Sequence, residues 1–245
     1  MKDEKWILAK IKEKANELGL KFNPKIFIAN YVTRREIGIV AYLNLSPRYN
    51  KFGRTNQQRA NNFGKFLSSK ELRDIENPGL VIFRTQIAEC AKLLKDPKER
   101  RLVKKLLDGL KFNSKGYGTI VGRPKARLED SYDILFHEWI HNLLNYNNLG
   151  FYDTGGNRWS YNEGLTVFVE YYLGNYYGRD VAFLKDRLDW VKKNGKKTSF
   201  DRVLRYCITF AKLVEKHKEP SKRKEALIRY FKEFPAPKRT KFLAY

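Results

Sequence analysis

Two histidines with a glutamate between them lie in one short segment of the chain, His137-Glu138-Trp139-Ile140-His141. Residues four apart on a helix lie about one turn apart on the same face, so a helix here directs both imidazoles the same way. Two neutral imidazoles on one face can bind Zn²⁺, and Glu138 between them can reach a metal-bound water. The chain has only three histidines, and two of them fall in this segment. The alternative interpretation is two ordinary histidines on an amphipathic helix.

A second segment supplies the carboxylate that a catalytic zinc site still needs. Such a site has three protein ligands and leaves a fourth position open for water. Glu163 lies in Trp159-Ser160-Tyr161-Asn162-Glu163-Gly164 and opens a second helical pattern. A turn through residues 147–150 allows this helix to return antiparallel to the first. The two segments together predict a metal site made by His137, His141 and Glu163.

The two segments resemble the gluzincin metallopeptidases, most closely the aminopeptidase N branch. The resemblance rests on His-Glu-x-x-His followed by Trp-x-x-Asn-Glu-Gly-x-x-x-x-x-x-Glu, and it is specific over residues 133–172. It implies a zincin-like fold and a zinc-dependent peptidase whose Zn²⁺ binds His137, His141 and Glu163. In such an enzyme Glu138 is the general base, which takes a proton from the metal-bound water and passes it to the leaving amine.

The resemblance also assigns roles to two polar residues beside the ligands. Glu170 lies about two turns after Glu163 on the same helix face, where the aminopeptidase branch has a glutamate. It is expected to accept the second ring N–H of a metal-bound histidine; the alternative is a solvent-facing acid at the helix end. Asn162 matches the family pattern and is expected either to cap its helix or to hydrogen-bond near the site.

An oxyanion needs a hydrogen-bond donor across the zinc, and the aminopeptidase branch uses a tyrosine on a later helix. Tyr206, in Arg205-Tyr206-Cys207-Ile208-Thr209-Phe210, loosely resembles that context and is expected to be catalytic. A core aromatic residue is the alternative interpretation of Tyr206. His217 is the rival donor in the manner of the thermolysin group, although an exposed histidine is the simpler interpretation of its basic surroundings.

The glycine-punctuated segment 117–122 is β-like and is expected to form an edge strand shortly before the zinc helix. In gluzincins such a strand borders the cleft, where a substrate can pair with its free backbone groups. The aminopeptidase branch carries Gly-x-Met-Glu-Asn there, and this sequence has no matching motif. The expected activity is therefore that of an endopeptidase on peptides or unfolded proteins. An aminopeptidase with another amine-recognition group is the alternative.

The elements that must position these residues predict an α+β fold. Residues 1–125 are expected to form a mixed α/β part with a small sheet, and residues 126–245 a mostly helical part that carries the zinc site. Within the first part, residues 25–32 and 37–45 are predicted as two strands of a hairpin, and 80–84 as a short buried strand. The cleft is expected between the two parts, which together make one catalytic unit.

The chain is strongly basic, with 50 Lys and Arg against 27 Asp and Glu and a formal net charge of +23. Such a field attracts polyanions or acidic proteins. A nucleic-acid-binding surface is one interpretation. The other is a lysine-rich proteome of the kind found in thermophiles, because the charge is dispersed and no nucleic-acid module is recognised. Binding that weakens steeply as salt rises would support contact with phosphates.

The remaining sequence features concern location and regulation. Apolar runs are short and the N-terminus leads into a charged amphipathic pattern, which predicts a cytoplasmic protein with no membrane partner. Cys90 and Cys207 are expected to be buried free thiols. The basic segment 237–245 ends in apolar residues, so docking of this tail onto the body or into the cleft is a hypothesis for latency.

Overall fold

The computed structural model describes residues 4–44, 55–73, 79–122, 128–150, 157–171 and 199–233, together with 189 and 193. Most of these residues are helical and three strands form one small sheet, which confirms the α+β class. None of the described helices is long and apolar enough to cross a membrane. The basic tail 237–245 lies outside the described residues.

Two compact units divide the chain. One unit is Asn23–Trp139, and the other joins the described residues of Glu4–Phe22 to those of Ile140–Tyr245. This division differs from the expected one near residue 125 in two respects. The first helix belongs with the C-terminal helices, and the boundary falls inside a continuous helix after Trp139.

The first unit carries the sheet. Its elements are β1 Ala29–Val32, α2 Arg34–Leu43, α3 Asn56–Ser68, α4 Lys70–Arg73, β2 Gly79–Phe83, α5 Arg84–Lys92, α6 Pro97–Gly109 and β3 Tyr117–Gly122. The strand order is β1-β3-β2, with β3 parallel to β1 and antiparallel to β2. Apolar side chains of α2, α3, α5 and α6 form one core with the sheet. The short buried strand predicted at 80–84 is therefore confirmed as β2.

Strand β3 confirms the strand predicted at 117–122, but its predicted place at the edge is wrong. It is the central strand of the described sheet, and Ile120 and Val121 are fully buried. Gly118 is required by packing rather than by an edge position, because a Cβ there would lie 2.7 Å from the carbonyl oxygen of Lys111. The glycine admits a close backbone approach, which sequence punctuation alone does not distinguish from an edge.

The hairpin predicted over 25–45 is also wrong. Its first segment is a strand only over Ala29–Val32, after a 3-10 turn at Pro24–Ile26, and it pairs with β3; its second segment is helix α2. Thr33 begins that helix with a capping box, in which its hydroxyl accepts from the Glu36 N–H at 3.3 Å and the Glu36 carboxylate accepts from the Thr33 N–H at 2.7 Å. Residues 37–43 are all buried. A short run that is apolar on every side fits a buried helix as well as a strand, so the cap was the informative signal.

Helix α7, Leu128–Tyr146, crosses from the first unit into the second. The other helices of the second unit are α1 Glu4–Glu17, α8 Asn157–Tyr171, α9 Ser199–Glu215 and α10 Pro220–Glu233. An aromatic cluster joins α8, α9 and α10, since the rings of Phe210, Tyr206, Tyr230 and Phe231 surround the buried ring of Tyr161. Cys90 and Cys207 are buried and free, as predicted.

Candidate metal centre

Helix α7 presents His137, Glu138 and His141 on its less buried face. All three side chains are half-buried. The apolar residues of this stretch are fully or almost fully buried, namely Leu135, Phe136, Trp139, Ile140, Leu143 and Leu144, and the polar residue Asn142 is buried as well. Residues 137, 138 and 141 share one face because of the 3.6-residue period. The same pattern that buries the helix therefore leaves these three polar groups open on one side.

Helix α8 brings a carboxylate to the two imidazoles. One ligand atom from each of His137, His141 and Glu163 lies within 4.8 Å of the others, and within the described residues this is the one group of its kind. His141 Nε2 lies 3.5 Å from Glu163 Oε1. Ligand atoms around a tetrahedral zinc lie about 3.4 Å apart, given bonds of about 2.0–2.1 Å. Two imidazoles and one carboxylate at this spacing could hold a metal ion.

The other nitrogen of His141 meets a residue that sequence reasoning did not single out. Thr166 Oγ1 lies 3.0 Å from His141 Nδ1, and the Thr166 side chain is fully buried. Thr166 could have been found from its spacing, because a residue three positions after Glu163 lies about one turn further along the same helix face. A hydroxyl in the apolar run after Gly164 was the second indication.

Glu138 lies beside the start of strand β2. A Cβ added at Gly79 would overlap the Ile134 side chain and lie 3.1 Å from Glu138 Cγ. Glycine at position 79 therefore lets the backbone of β2 lie close to α7, next to the side chain of Glu138. With β3 in the centre of the sheet, β2 is the edge strand that borders Glu138.

Comparison with family models, with curated proteins and with solved structures found no match to this chain. The family resemblance therefore rests on the two motifs and on the geometry of the residues that they contain. The structure brings His137, His141 and Glu163 together. The other predicted site residues, Glu170, Asn162, Tyr206 and His217, are not part of this group.

Glu170 and Asn162 both lie on α8 and are buried, with 8% and 7% of their surface exposed. Helix α8 begins at Asn157, so the capping role considered for Asn162 is wrong, because this residue lies inside the helix. Burial, and next the charge of Glu170, raises the pKa of the Cys207 thiol to about 12. Glu170 is thus not a solvent-facing acid; its contact with a metal-bound histidine stays a prediction.

Tyr206 lies in the aromatic cluster of α8, α9 and α10. Its ring centroid is 6.0 Å from that of Tyr161 and 6.4 Å from that of Phe210. Burial raises the pKa of Tyr206, with Tyr230 acting in the same direction and Arg202 against it, so the hydroxyl keeps its proton at neutral pH. Tyr206 thus packs in an aromatic cluster while its own side chain is only half-buried, and the oxyanion role stays a prediction.

His217, the rival donor, lies just after α9 and is half-buried. Its backbone carbonyl accepts a hydrogen bond from Arg223 Nε at 2.9 Å. The group of potential metal ligands within the described residues does not include it.

Gly164 sets the distance between α8 and α9. A Cβ at this position would lie 2.5 Å from Tyr206 Cβ and 2.7 Å from the carbonyl oxygen of Val203. Neither neighbour is the end of a flexible side chain, so neither can move without moving α9. Glycine at position 164 therefore lets α9 pack closely against α8, next to Glu163.

Replacing Gly164 with Ala is expected to lower the free energy of unfolding by about 1–3 kcal/mol, the usual cost of forcing extra atoms into a packed core. Denaturant-induced unfolding followed by circular dichroism measures this change. Gly109→Ala is the matched control, because no atom lies within 4 Å of the added Cβ and the residue ends helix α6. A Gly164→Ala protein as stable as the Gly109→Ala protein would contradict the close packing of α8 and α9.

Proposed function

We propose that this protein is a zinc-dependent peptidase that cleaves peptide bonds within unfolded or extended polypeptides. The observation that carries the proposal is the convergence of His137, His141 and Glu163 within 4.8 Å, with Glu138 on the same face of α7. The two histidines are brought together by one helix, but Glu163 reaches them from another. Three ligands and an adjacent carboxylate are the set that metal-assisted hydrolysis requires.

The donor set favours zinc over other divalent ions. Imidazole suits zinc, and two imidazoles with one carboxylate make a typical catalytic zinc site with an open position. An all-oxygen set would instead favour magnesium or calcium. When bound, zinc would lower the pKa of a water molecule and polarise the scissile carbonyl.

Glu138 is the proposed general base. Its carboxylate removes a proton from the attacking water and then delivers that proton to the amine that leaves. A Cβ at position 79 would lie 3.1 Å from the Cγ of Glu138, so the backbone of Gly79 limits the space on one side of this side chain. A base held in place beside the reacting water needs little reorganisation during the reaction.

Strand β2 is the proposed site of substrate pairing, in a zincin-like arrangement. The side chain of Asn44 already occupies part of its outer edge, donating to the carbonyl oxygen of Val81 at 3.0 Å and accepting from the N–H of Phe83 at 2.8 Å. Because alternate residues of a strand face the same edge, the outer groups without a partner among the described residues are those of Gly79 and the N–H of Val81. An extended peptide that pairs there lies next to Glu138.

The proposed cleavage is internal rather than at an amino terminus. The sequence lacks the Gly-x-Met-Glu-Asn segment whose glutamate binds a free amine in the aminopeptidase branch. An internal peptide bond needs no such group. The comparison that separates the two activities is cleavage of N-acetylated peptides against cleavage of amino-acid anilides.

The test of the proposal is metal content and proteolysis on the same preparation. We expect about one zinc per chain by mass spectrometry. We also expect an unfolded protein and N-acetylated peptides to be cleaved, and a zinc chelator to stop both reactions. Cleavage of amino-acid anilides but not of N-acetylated peptides would show that the activity is that of an aminopeptidase rather than an endopeptidase. Absence of both metal and cleavage after incubation with zinc would overturn the proposal.

A further inference from the structure

Helix α6 carries its exposed positive charge on one side. The residues that form this side are all basic and exposed, namely Lys98, Arg101, Lys104 and Lys105. Residues three, four and seven apart lie on one helix face, so these four side chains leave α6 in the same direction. We propose that this set, the basic face, binds the phosphate backbone of nucleic acid. The proposal concerns the first unit alone and does not rest on the proposed peptidase.

Most acidic residues near α6 contact the helix backbone or α3 rather than the basic face. Asp96 caps the helix, and its carboxylate accepts a hydrogen bond from the N–H of Lys98 at 2.8 Å. Glu99 lies against α3, since a Cβ added at Gly64 would lie 2.5 Å from Glu99 Oε1. Asp108 is exposed near the helix end, but within the described residues no ion pair joins it to the basic face. The basic face therefore keeps most of its positive charge.

Other exposed helix surfaces mix basic residues with acidic ones. On α1, Lys10 Nζ lies 2.6 Å from Glu13 Oε2, and Lys222 Nζ of α10 lies 3.8 Å from Glu219 Oε2. Ion pairs of this kind are the expected use of lysine in a thermophilic protein. In the part of the chain that the structure describes, no residue of the basic face has an ion pair. A general enrichment in lysine therefore does not account for the basic face.

The basic face suits nucleic acid better than an acidic protein. The core of a protein–protein interface is apolar and depleted in charge, whereas the large apolar side chains of α6 are all buried or half-buried. Duplex DNA instead presents one phosphate charge per about 1.7 Å of its axis. The basic face is about 10 Å long, at about 1.5 Å per residue, and so spans about six such charges. Release of counterions from these phosphates supplies affinity without apolar contacts.

Contacts on the other sides of α6 hold the basic face in place. Val103 and Leu106 belong to the core of the first unit. Arg100 Nη1 donates to the carbonyl oxygens of Leu94 at 2.7 Å and Lys95 at 2.9 Å, which fixes the start of α6 to the end of α5. The four basic side chains therefore project from a helix that is already ordered. Binding then requires no ordering of the backbone, which otherwise reduces affinity.

The test compares two variants that each lose four positive charges. One has Gln at all four positions of the basic face. The other has Gln at four exposed basic positions of α1 and α10, namely Lys5, Lys12, Arg229 and Lys232. Equal net charge makes the long-range attraction of a polyanion similar in both variants, and Gln favours helix about as much as Lys and Arg do. Circular dichroism checks that each full chain is folded.

The measured quantity is the dissociation constant of a fluorescein-labelled duplex DNA of about 20 base pairs, from fluorescence anisotropy. It is measured between about 50 and 200 mM salt, because four phosphate contacts give a slope of about −3.6 for the logarithm of the binding constant against that of salt. The wild type should therefore lose about 100-fold in affinity over this range. A duplex of unrelated sequence should bind equally well, because phosphate contacts carry no sequence information.

We expect the basic-face variant to bind the duplex more weakly, with a slope smaller in magnitude by about 3–4. Arg101→Gln alone should reduce the slope by about one, and the α1 and α10 variant should keep the wild-type slope. Equal losses in the two fourfold variants would show that net charge attracts the duplex and would overturn the proposal. So would the absence of wild-type binding at about 50 mM salt. Poly-glutamate that binds the basic face as tightly as the duplex, at equal total charge, would overturn the assignment to nucleic acid.

Discussion

Replacing Glu138 with Gln is expected to lower kcat for peptide cleavage by about 10²–10⁴-fold, the usual contribution of a general acid–base residue. The amide has nearly the shape of the carboxylate and fits the same space beside Gly79, but it cannot take a proton from water. Zinc content should remain that of the wild type, because Glu138 is not among the three residues whose ligand atoms converge. Initial rates on an N-acetylated peptide and metal analysis of the same sample measure both quantities.

The control for this change is Glu89→Gln, which makes the same substitution at an exposed position on helix α5. It should leave both kcat and zinc content at wild-type values. A Glu138→Gln protein that cleaves at the wild-type rate with full zinc content would show that another group is the base. A loss of zinc in this variant would instead place Glu138 among the ligands.

Replacing Glu163 with Ala is expected to weaken zinc binding by at least about 100-fold. Removal of a group that only orients a ligand costs about 10–100-fold, and the removal of a ligand costs more. The alanine variant keeps His137 and His141 on α7, which alone offer two ligands. Chelator competition gives the dissociation constant, and peptide cleavage at a fixed low zinc concentration should fall with it.

Two further variants provide zinc affinities with which the Glu163→Ala result can be compared. Glu170→Gln should weaken zinc binding less than Glu163→Ala if Glu170 orients a histidine. Glu215→Ala, at an exposed position near the end of α9, should have no effect. A Glu163→Ala protein with wild-type zinc affinity would exclude the proposed centre. Equal losses for Glu163→Ala and Glu170→Gln would leave open which carboxylate binds the metal.

Local sequence determined the parts of this protein that depend on a single helix. The apolar period around His137 and His141 predicted a helix to about Tyr146, and α7 ends there. Both histidines lie on one face because of helix geometry alone, which any tertiary arrangement retains. The convergence of Glu163 with them was predicted by spacing and by family resemblance, since no local rule brings two helices together.

Local sequence failed where burial outweighs intrinsic preference. The run from Ile37 to Leu43 is rich in residues that favour strands, yet it forms α2, because its surroundings bury every side and Thr33 caps its start. The place of β3 in the sheet was likewise beyond the sequence. Strand order follows from which surfaces the helices cover, and a pattern of glycines within one strand carries no information about its neighbours.

Tertiary structure alone decided the details on which the chemistry depends. The contact of Thr166 with His141 Nδ1 requires α7 and α8 to lie at a particular distance and rotation. The close packing of α9 on α8 likewise requires a glycine at position 164. The approach of β2 to Glu138 at Gly79 requires the sheet and α7 to pack without an intervening side chain. Sequence therefore determined which residue types are present and which share a helix face. The distances between helices determine what these residues can do, because they depend on packing contacts between residues far apart in the chain.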